Sequence, residues 1–405
     1  MDVDSMFLSK NLKSRLSNLL DDVIVCVHEN ETEVDRLGLY DGKVGLALFY
    51  YTLGEFEGDK KYQEKIESLI AEVYERINSE EETELDNSFC NGLAGIAWGI
   101  EYLIDVKCID REYSLYHQIN DYLLECMKIQ LMNGNLDLMS GAVGSAMNLM
   151  WEKDTSYHKL FLSLLKDQMQ TGKEGGYLLY QGDDHSVPLV NFGIAHGMSG
   201  VLLLLADFME RSICKSDCRE LIEELCRFHN HILNKVSGDS SYFPYYLNGE
   251  KRQGACRLAW CWGDLGIGYS LLKVARVLKD TNLEKNAFRL LRNSTGRIKP
   301  EDTLVIDGGV CHGAFGNSFL FQQIYCATGD DFYKNAVNFW LEEGLEMRRY
   351  EDGLCGFKFH YGEMGWLNRM DLINGLIGVG LVLMSMLSKS SLGWSKCILI
   401  NRIEN

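Results

Sequence analysis

The sequence predicts an all-α chain: an α/α toroid of seven helical hairpins, with apolar helices as an inner layer and amphipathic helices as an outer one. Three observations carry that expectation. Only 3 prolines (Pro188, Pro244 and Pro300) occur in 405 residues, where average usage of ~5% would give about twenty, and all three fall between the periodic segments. A GxxG step leading into an apolar run occurs seven times. Between these runs lie stretches with charges on one face only.

The seven steps are DGKVGLALFYY (41–51), NGLAGIAWGIEYL (91–103), SGAVGSAMNLM (140–150), HGMSGVLLLLA (196–206), WGDLGIGYSLL (262–272), HGAFGNSFLFQ (312–322) and NGLIGVGLVLM (374–384). Their first glycines are spaced by 50, 49, 56, 66, 50 and 62 residues. About four GxxG strings are expected by chance; ten occur, and those starting at Gly172, Gly353 and Gly362 lack the apolar continuation. Glycines one turn apart let a helix start pack closely against its neighbour. The alternating amphipathic stretches are exemplified by 13–29, 62–77, 218–233 and 331–347, each with the periodicity of a half-exposed helix. A half-exposed helix followed by a nearly all-apolar one, seven times over, is buried by two concentric layers. One domain over 1–405 is expected.

With 46% hydrophobic and 24% charged residues the chain can bury a large core. Its net charge of −18, scattered rather than gathered in a tail, argues against nucleic-acid partners. The 13 cysteines are odd in number and no signal peptide opens MDVDSMFLSK, so a disulfide framework is not expected and reduced cytoplasm is. The longest apolar stretch, 375–387, is shorter than the ~18 residues of a spanning helix; no transmembrane segment is expected.

In an alternating ring all inner-helix N-termini reach one rim, where their partial positive charge favours thiolates and other anions. The long connections at 171–195, 236–256 and 350–374 each precede an inner helix and should overhang that mouth. Within them, 242–250 and 175–182 are candidates for short strands or flaps, and Tyr242, Phe243, Tyr245 and Tyr246 for contacts with apolar groups of a substrate.

Three steps carry unusual residues. Cys261 stands two before Gly263, Cys311 and His312 stand directly before Gly313, and His196 stands before Gly197. Two cysteines and a histidine at such helix starts supply three ligands for Zn²⁺ and leave a fourth position open, the arrangement of a catalytic rather than a structural site. A rival cluster of Cys214, Cys218, Cys226 and His229 lies mostly along one outer helix and reads as surface and core packing. His28, His117, His158 and His231 fall on outer helices and read as solvated. The remaining cysteines, at 26, 90, 108, 126, 256, 326, 355 and 397, show no paired-ligand signature.

The strings WCWG (260–263) and CHG (311–313), with HG (196–197) upstream, resemble those of the LanC-like lanthionine synthetase cyclases, and the seven glycine steps extend the resemblance over essentially the whole chain. The resemblance implies an α/α toroid with one zinc ion held by Cys261, Cys311 and His312, closing thioether rings in a ribosomally made peptide. It also implies functional roles for Asp137, four before Gly141, and Arg257, four before Cys261. Trp262 departs from the tyrosine of the nisin-type cyclase, which removes any hydroxyl-dependent role there and leaves an aromatic wall. The implied partners are a dehydrated precursor peptide, a separate lanthipeptide dehydratase, since seven hairpins use nearly all the residues, and an exporter, in a complex in the cytoplasm at the inner membrane.

Two thiolates and a neutral imidazole leave Zn²⁺ without net charge, so a substrate thiol can bind as thiolate below its free pKa of ~8.5 and stay nucleophilic. Addition to dehydroalanine or dehydrobutyrine then forms an enolate that needs a donor and an acid. His196 is the natural proton carrier, Arg257 the fixed cation and Asp137 the orienting carboxylate. Three other readings stay open: a zinc-dependent thiol- or glutathione-binding LanC-like regulatory protein, a prenyltransferase-like thiol-alkylating enzyme, and a glycosidase using Asp41, Asp137, Asp264 and Asp371. The glycosidase reading leaves the cysteines and histidines unexplained, and adjacent Cys311 and His312 count against the prenyltransferase type.

Overall fold

Helices of two kinds alternate along the chain. In the computed structural model, which describes residues 8–79, 85–181, 188–235, 241–249, 251–388 and 392–404, amphipathic α1 (Lys10–Asn30) precedes apolar α2 (Lys43–Glu57), α3 (Gln63–Asn78) precedes α4 (Leu93–Asp105), and α5 (Tyr116–Met132) precedes α6 (Ala142–Ala146). The alternation continues with α7 (Thr155–Gln168) and α8 (Met198–Glu210), then α9 (Lys215–Asn234) and α10 (Asp264–Leu278). Next come α11 (Thr281–Gly296) with the single turn α12 (Pro300–Thr303) before α13 (Ala314–Thr328), and α14 (Asp331–Glu346) before α15 (Leu376–Leu387). Burial follows the two kinds. α8 is buried continuously from Met198 to Met209, whereas α9 buries one stripe through Cys218, Leu221, Ile222, Leu225, Cys226, His229, Ile232 and Leu233, the spacing of a single helix face. The third apolar run departs from the expectation: α6 ends at Ala146 and continues as a 3-10 helix over Met147–Trp151.

Packing divides the chain into two compact units. In the first (Met1–Asp86, Cys90–Gln118 and Val305–Arg402), α2 packs on α3, α4 and α15, α15 on α1 and α13, and α13 on α14. In the second (Asn87–Phe89, Ile119–Leu304 and Ile403–Asn405), α8 packs on α6, α9 and α10, and α10 on α11. The amphipathic helices α3, α9, α11 and α14 thus pair chiefly with the apolar helix before each, and α1 packs on α15. The sequence reading paired each with the apolar helix after it. Chain connectivity explains the offset: short turns lead from α2 to α3, α8 to α9, α10 to α11 and α13 to α14, while the longer loops enter the apolar helices.

The two kinds also start differently. Side chains cap four of the amphipathic helices: Ser9, Asp154, Asp280 and Asp330 accept N–H groups of the first turns of α1, α7, α11 and α14, satisfying donors that lack a partner within the helix. The apolar helices are capped by their own entering loops, which fold back so that Ala142 donates to the Asn135 carbonyl (3.0 Å), Met198 to Asn191 (3.0 Å), Ala314 to Asp307 (2.9 Å) and Leu376 to Arg369 (2.9 Å). The second glycine of a step lies beneath that loop. A Cβ on Gly266 would stand 2.4 Å from the Trp260 carbonyl oxygen, and one on Gly316 1.9 Å from that of Val310. The close approach that requires glycine is therefore to the entering loop, not to a neighbouring helix as the sequence reading held.

The long connections carry short antiparallel hairpins, as expected: β1 (Gln170–Gly172) with β2 (Gly175–Tyr177), β3 (Pro244–Asn248) with β4 (Lys251–Ala255), and β5 (Phe359–His360) with β6 (Trp366–Leu367). Val190 pairs with Leu247 of β3, and Leu189 with Tyr180, so 171–195 and 236–256 are joined; residues 182–187, 236–240 and 250 lie outside the described residues. Among the described residues no helix is long and apolar enough to cross a membrane.

One expected solvated histidine is buried. His158 takes part in a hydrogen bond with the Leu149 carbonyl at 2.9 Å and meets Phe208 edge-on at 5.0 Å; it shares a face of α7 with Phe161, Leu162 and Leu165. His28 is half-buried against the Tyr50 hydroxyl at 3.0 Å, His231 is half-buried and His117 is exposed.

Candidate metal centre and its neighbours

The loops entering the apolar helices are joined in series within each unit. In the second unit Phe89 donates to the Met139 carbonyl (2.9 Å), Leu138 to Ala195 (2.7 Å) and Ala195 to Cys261 (3.2 Å). In the first, Cys311 donates to Ile373 (2.9 Å), Leu372 to Tyr40 (2.7 Å) and Tyr40 to Cys90 (2.7 Å). Residues just before each glycine step are thereby held side by side. The loop at 350–374 is tied to the Cys311 loop a second time, where the His360 N–H donates to the Asp307 carboxylate at 3.0 Å.

Cys261 Sγ, Cys311 Sγ and a ring nitrogen of His312 all lie within 4.8 Å of one another. Both cysteines are buried and His312 is half-buried. Tetrahedral zinc with Zn–S near 2.3 Å and Zn–N near 2.0 Å sets its ligand atoms roughly 3.5–3.8 Å apart, so the spacing and the donor chemistry both fit that ion. Among the described residues this is the one group of three or more Cys, His, Asp or Glu side chains so arranged. The rival cluster resolves into packing, with Cys218, Cys226 and His229 buried and Cys214 half-buried.

Of the other predicted site residues, His196 and Asp137 meet directly. His196 Nδ1 is 2.5 Å from Asp137 Oδ2, with Asp137 3% and His196 29% exposed. The second Asp137 oxygen accepts the N–H groups of Met139 (2.5 Å) and Ser140 (3.0 Å), which fixes the carboxylate and makes Nδ1 the protonated nitrogen facing it. Burial alone would lower the His196 pKa; the Asp137 charge and hydrogen bond reverse this, with a smaller contribution from Cys261, and hold it above its ordinary value. Tyr180, missed in the sequence, donates to the same Asp137 oxygen at 3.3 Å; its string was legible as a flap, but nothing in it points at a carboxylate 43 residues away.

Trp262 stands 5.4 Å from the His196 ring and stacks on Tyr245 at 4.2 Å and 9°. Its indole N–H donates to the Tyr245 carbonyl. Arg257 is half-buried, its Nε donates no hydrogen bond, and its charge reaches the Tyr245 phenol. The four loop aromatics divide: Phe243 is core, packed on Phe192 at 5.0 Å and His229 at 5.8 Å, while Tyr242, Tyr245 and Tyr246 are half-buried. The remaining step carboxylates are taken up structurally. Asp41 accepts from Arg36 and Arg369, Asp371 from the N–H groups of Ile373 and Asn374, and Asp264 from two backbone N–H groups and Arg297.

The profile of the family described as lanthionine synthetase C-like protein matches residues 33–399. The chain belongs to the lanthionine synthetase C-like family. A relative of this family member, the nisin biosynthesis protein NisC of Lactococcus lactis subsp. lactis, is 24% identical over 381 residues, covering 86% of this chain and 89% of NisC. The solved structure of nisin cyclase matches with a TM-score of 0.71 and 19% identity, over 96% of this chain and 98% of that one. That likeness shows the fold of this lanthionine synthetase C-like protein to be an α/α toroid, as its glycine steps predict.

Proposed function

We propose that this chain is a zinc-dependent lanthionine cyclase, which adds a cysteine thiol of a ribosomally made peptide across the Cα=Cβ bond of a dehydroalanine or dehydrobutyrine in the same peptide. The observation that carries the reading is the Cys261, Cys311 and His312 group within 4.8 Å, in a member of this family whose His196 is hydrogen-bonded to Asp137 beside the Cys261 loop. One zinc per chain, held by those three residues, would supply a Lewis acid with an open fourth position at which a thiol loses its proton near neutral pH.

The protein's own groups then account for the addition. As the S–Cβ bond forms, the π pair of the double bond moves onto Cα and the adjoining carbonyl, giving an enolate. His196, held protonatable by Asp137, delivers a proton to Cα; the proton lost by the thiol balances it, and the product is an isomer of the substrate. Arg257 supplies a fixed cation for the enolate oxygen. Asp137 orients the imidazole and stabilises its charged form, the role of a buried carboxylate behind a catalytic histidine. Trp262 and Tyr245 form an aromatic wall against which a peptide lies.

The substrate's chemistry requires a dehydratase to make the double bond, and an exporter would take the product. None of the thirteen cysteines is in a disulfide, and the proposed chemistry belongs in a reducing cytoplasm. A regulatory protein that only binds thiols would use the same metal group, and one experiment separates the two. Zinc-loaded protein mixed with dehydrated precursor peptide should consume the peptide's free thiols catalytically. Stoichiometric thiol binding without thioether would favour the binding protein.

A further inference from the structure

Asp264 is the first residue of α10, three after Cys261, and the one acidic residue at that position among the seven apolar helices. Its side chain is 0% exposed and that of Arg297 is 4% exposed. One Asp264 oxygen accepts the Phe243 N–H at 3.0 Å and lies 3.1 Å from the Cys256 Sγ; the other accepts the Tyr242 N–H at 2.9 Å and Arg297 at 3.2 Å. Arg297 also donates to the carbonyls of Cys256 (2.6 Å) and Asp302 (2.5 Å). Tyr242 and Phe243 are the root of β3 and Cys256 follows β4, so both ends of the hairpin are fastened to the first turn of the helix that follows Cys261.

A helix-start carboxylate suits the local dipole, but a salt bridge buried this deeply gains little net stability over an apolar replacement of similar shape. What it supplies here is a fixed geometry. From the fastened roots the hairpin carries Tyr245 onto the Trp262 indole, 4.2 Å away and parallel, and Trp262 stands against His196.

We propose that the buried Asp264–Arg297 pair is a positioning device for thioether formation, locking the β3–β4 hairpin so that Tyr245 and Trp262 form one face of the peptide site beside His196. The inference rests on the cyclase reading for its substrate, a dehydrated peptide. Neither residue touches the reacting atoms; they act through the hairpin.

The test compares wild type with Asp264→Asn, with the apolar pair Asp264→Leu/Arg297→Met, and with Tyr245→Ala, all as zinc-loaded full-length chains. The apolar pair leaves no unpaired buried charge, and Tyr245 is half-buried, so a fold lost in Asp264→Asn does not end the experiment. Trypsin at the exposed Lys251 and Arg252 reads whether the hairpin is released, independently of catalysis. The expected result is cleavage there at least tenfold faster in the apolar pair, zinc retained, and kcat for dehydrated peptide at least tenfold lower with KM changed less than threefold. Tyr245→Ala should reproduce the kinetic loss without the faster cleavage. A hairpin as resistant as wild type in the apolar pair would overturn the lock, and a released hairpin with unchanged kcat would overturn its role in positioning. Wild type that makes no thioether would overturn the cyclase reading and with it the positioning role, while the trypsin result still decides the lock.

Discussion

Replacing Asp137 by asparagine changes one atom that matters. The oxygen that accepts the Met139 and Ser140 N–H groups is kept, so the entering loop of α6 retains its cap. The oxygen facing His196 Nδ1 at 2.5 Å becomes an NH₂ group, which cannot accept that proton. The imidazole must shift its proton to the other nitrogen or turn away, and its charged form loses the carboxylate that stabilised it. A hydrogen bond to a charged group is worth about 1.5–3 kcal/mol, or about 10–100-fold in kcat/KM when made in the transition state. Loss of the correct tautomer adds to this; in the serine-protease triad the same exchange lowers kcat about 10⁴-fold. The expected result for Asp137→Asn is therefore a kcat loss of at least about 10-fold, with zinc content near wild type. The sign on pH follows from the raised His196 pKa: a proton donor works below its pKa, so removing the carboxylate should move the alkaline limb of kcat/KM to lower pH. Cyclisation of a dehydrated peptide from pH 5 to 9, with zinc measured on the same samples, checks both. An unshifted alkaline limb with unchanged rate would refute the assigned roles of Asp137 and His196.

Metal analysis of tag-free protein should give close to one zinc per chain, with most of it lost in Cys311→Ala and Cys261→Ala and retained in His196→Ala. Gly316→Ala should clash with the Val310 carbonyl at 1.9 Å, cost at least about 1–3 kcal/mol as an overpacked site and weaken zinc retention, because Val310 precedes Cys311. Gly296→Ala, with nothing within 4 Å of the new Cβ, should instead stabilise by about 0.5–1 kcal/mol; paired thermal melts compare them. Buried His229 has its pKa lowered by burial from 6.5 to about 4, so its contribution to stability is full above 6.5 and lost as pH falls from 6.5 towards 4. That loss reaches about 3 kcal/mol, and urea midpoints of His229→Leu should fall less over this range than those of wild type.

The two-layer architecture was legible because apolar and half-apolar runs alternate with glycine steps, and periodicity reports directly how many faces a helix buries. Which amphipathic helix pairs with which apolar one was not, since that depends on loop lengths rather than on either helix's own pattern. The metal group was legible because Cys261 and Cys311 occupy the same place relative to their glycine steps, each two residues before the first glycine. His158 was misread because it falls on an outer helix, although its spacing of three, four and seven from Phe161, Leu162 and Leu165 marks the buried face of α7. Tyr180 and the Asp264–Arg297 pair act across 43 and 33 residues, through contacts that a single sequence does not encode as a pattern. The glycine pairs were recognised as sites of close approach, but the partner was misplaced because the entering loop has no periodicity to announce that it folds back.

The most direct test of the account follows thioether formation itself. A dehydrated peptide with one cysteine is incubated with catalytic amounts of wild type, of Cys311→Ala and of zinc-loaded His196→Ala, then treated with a thiol-alkylating reagent and weighed by mass spectrometry. Because cyclisation leaves the mass unchanged, a closed ring is seen as failure to take up the reagent. Wild type should protect the peptide over many turnovers, Cys311→Ala not at all, and His196→Ala slowly. Full alkylation after incubation with zinc-loaded wild type, or equal protection by all three proteins, would contradict the account.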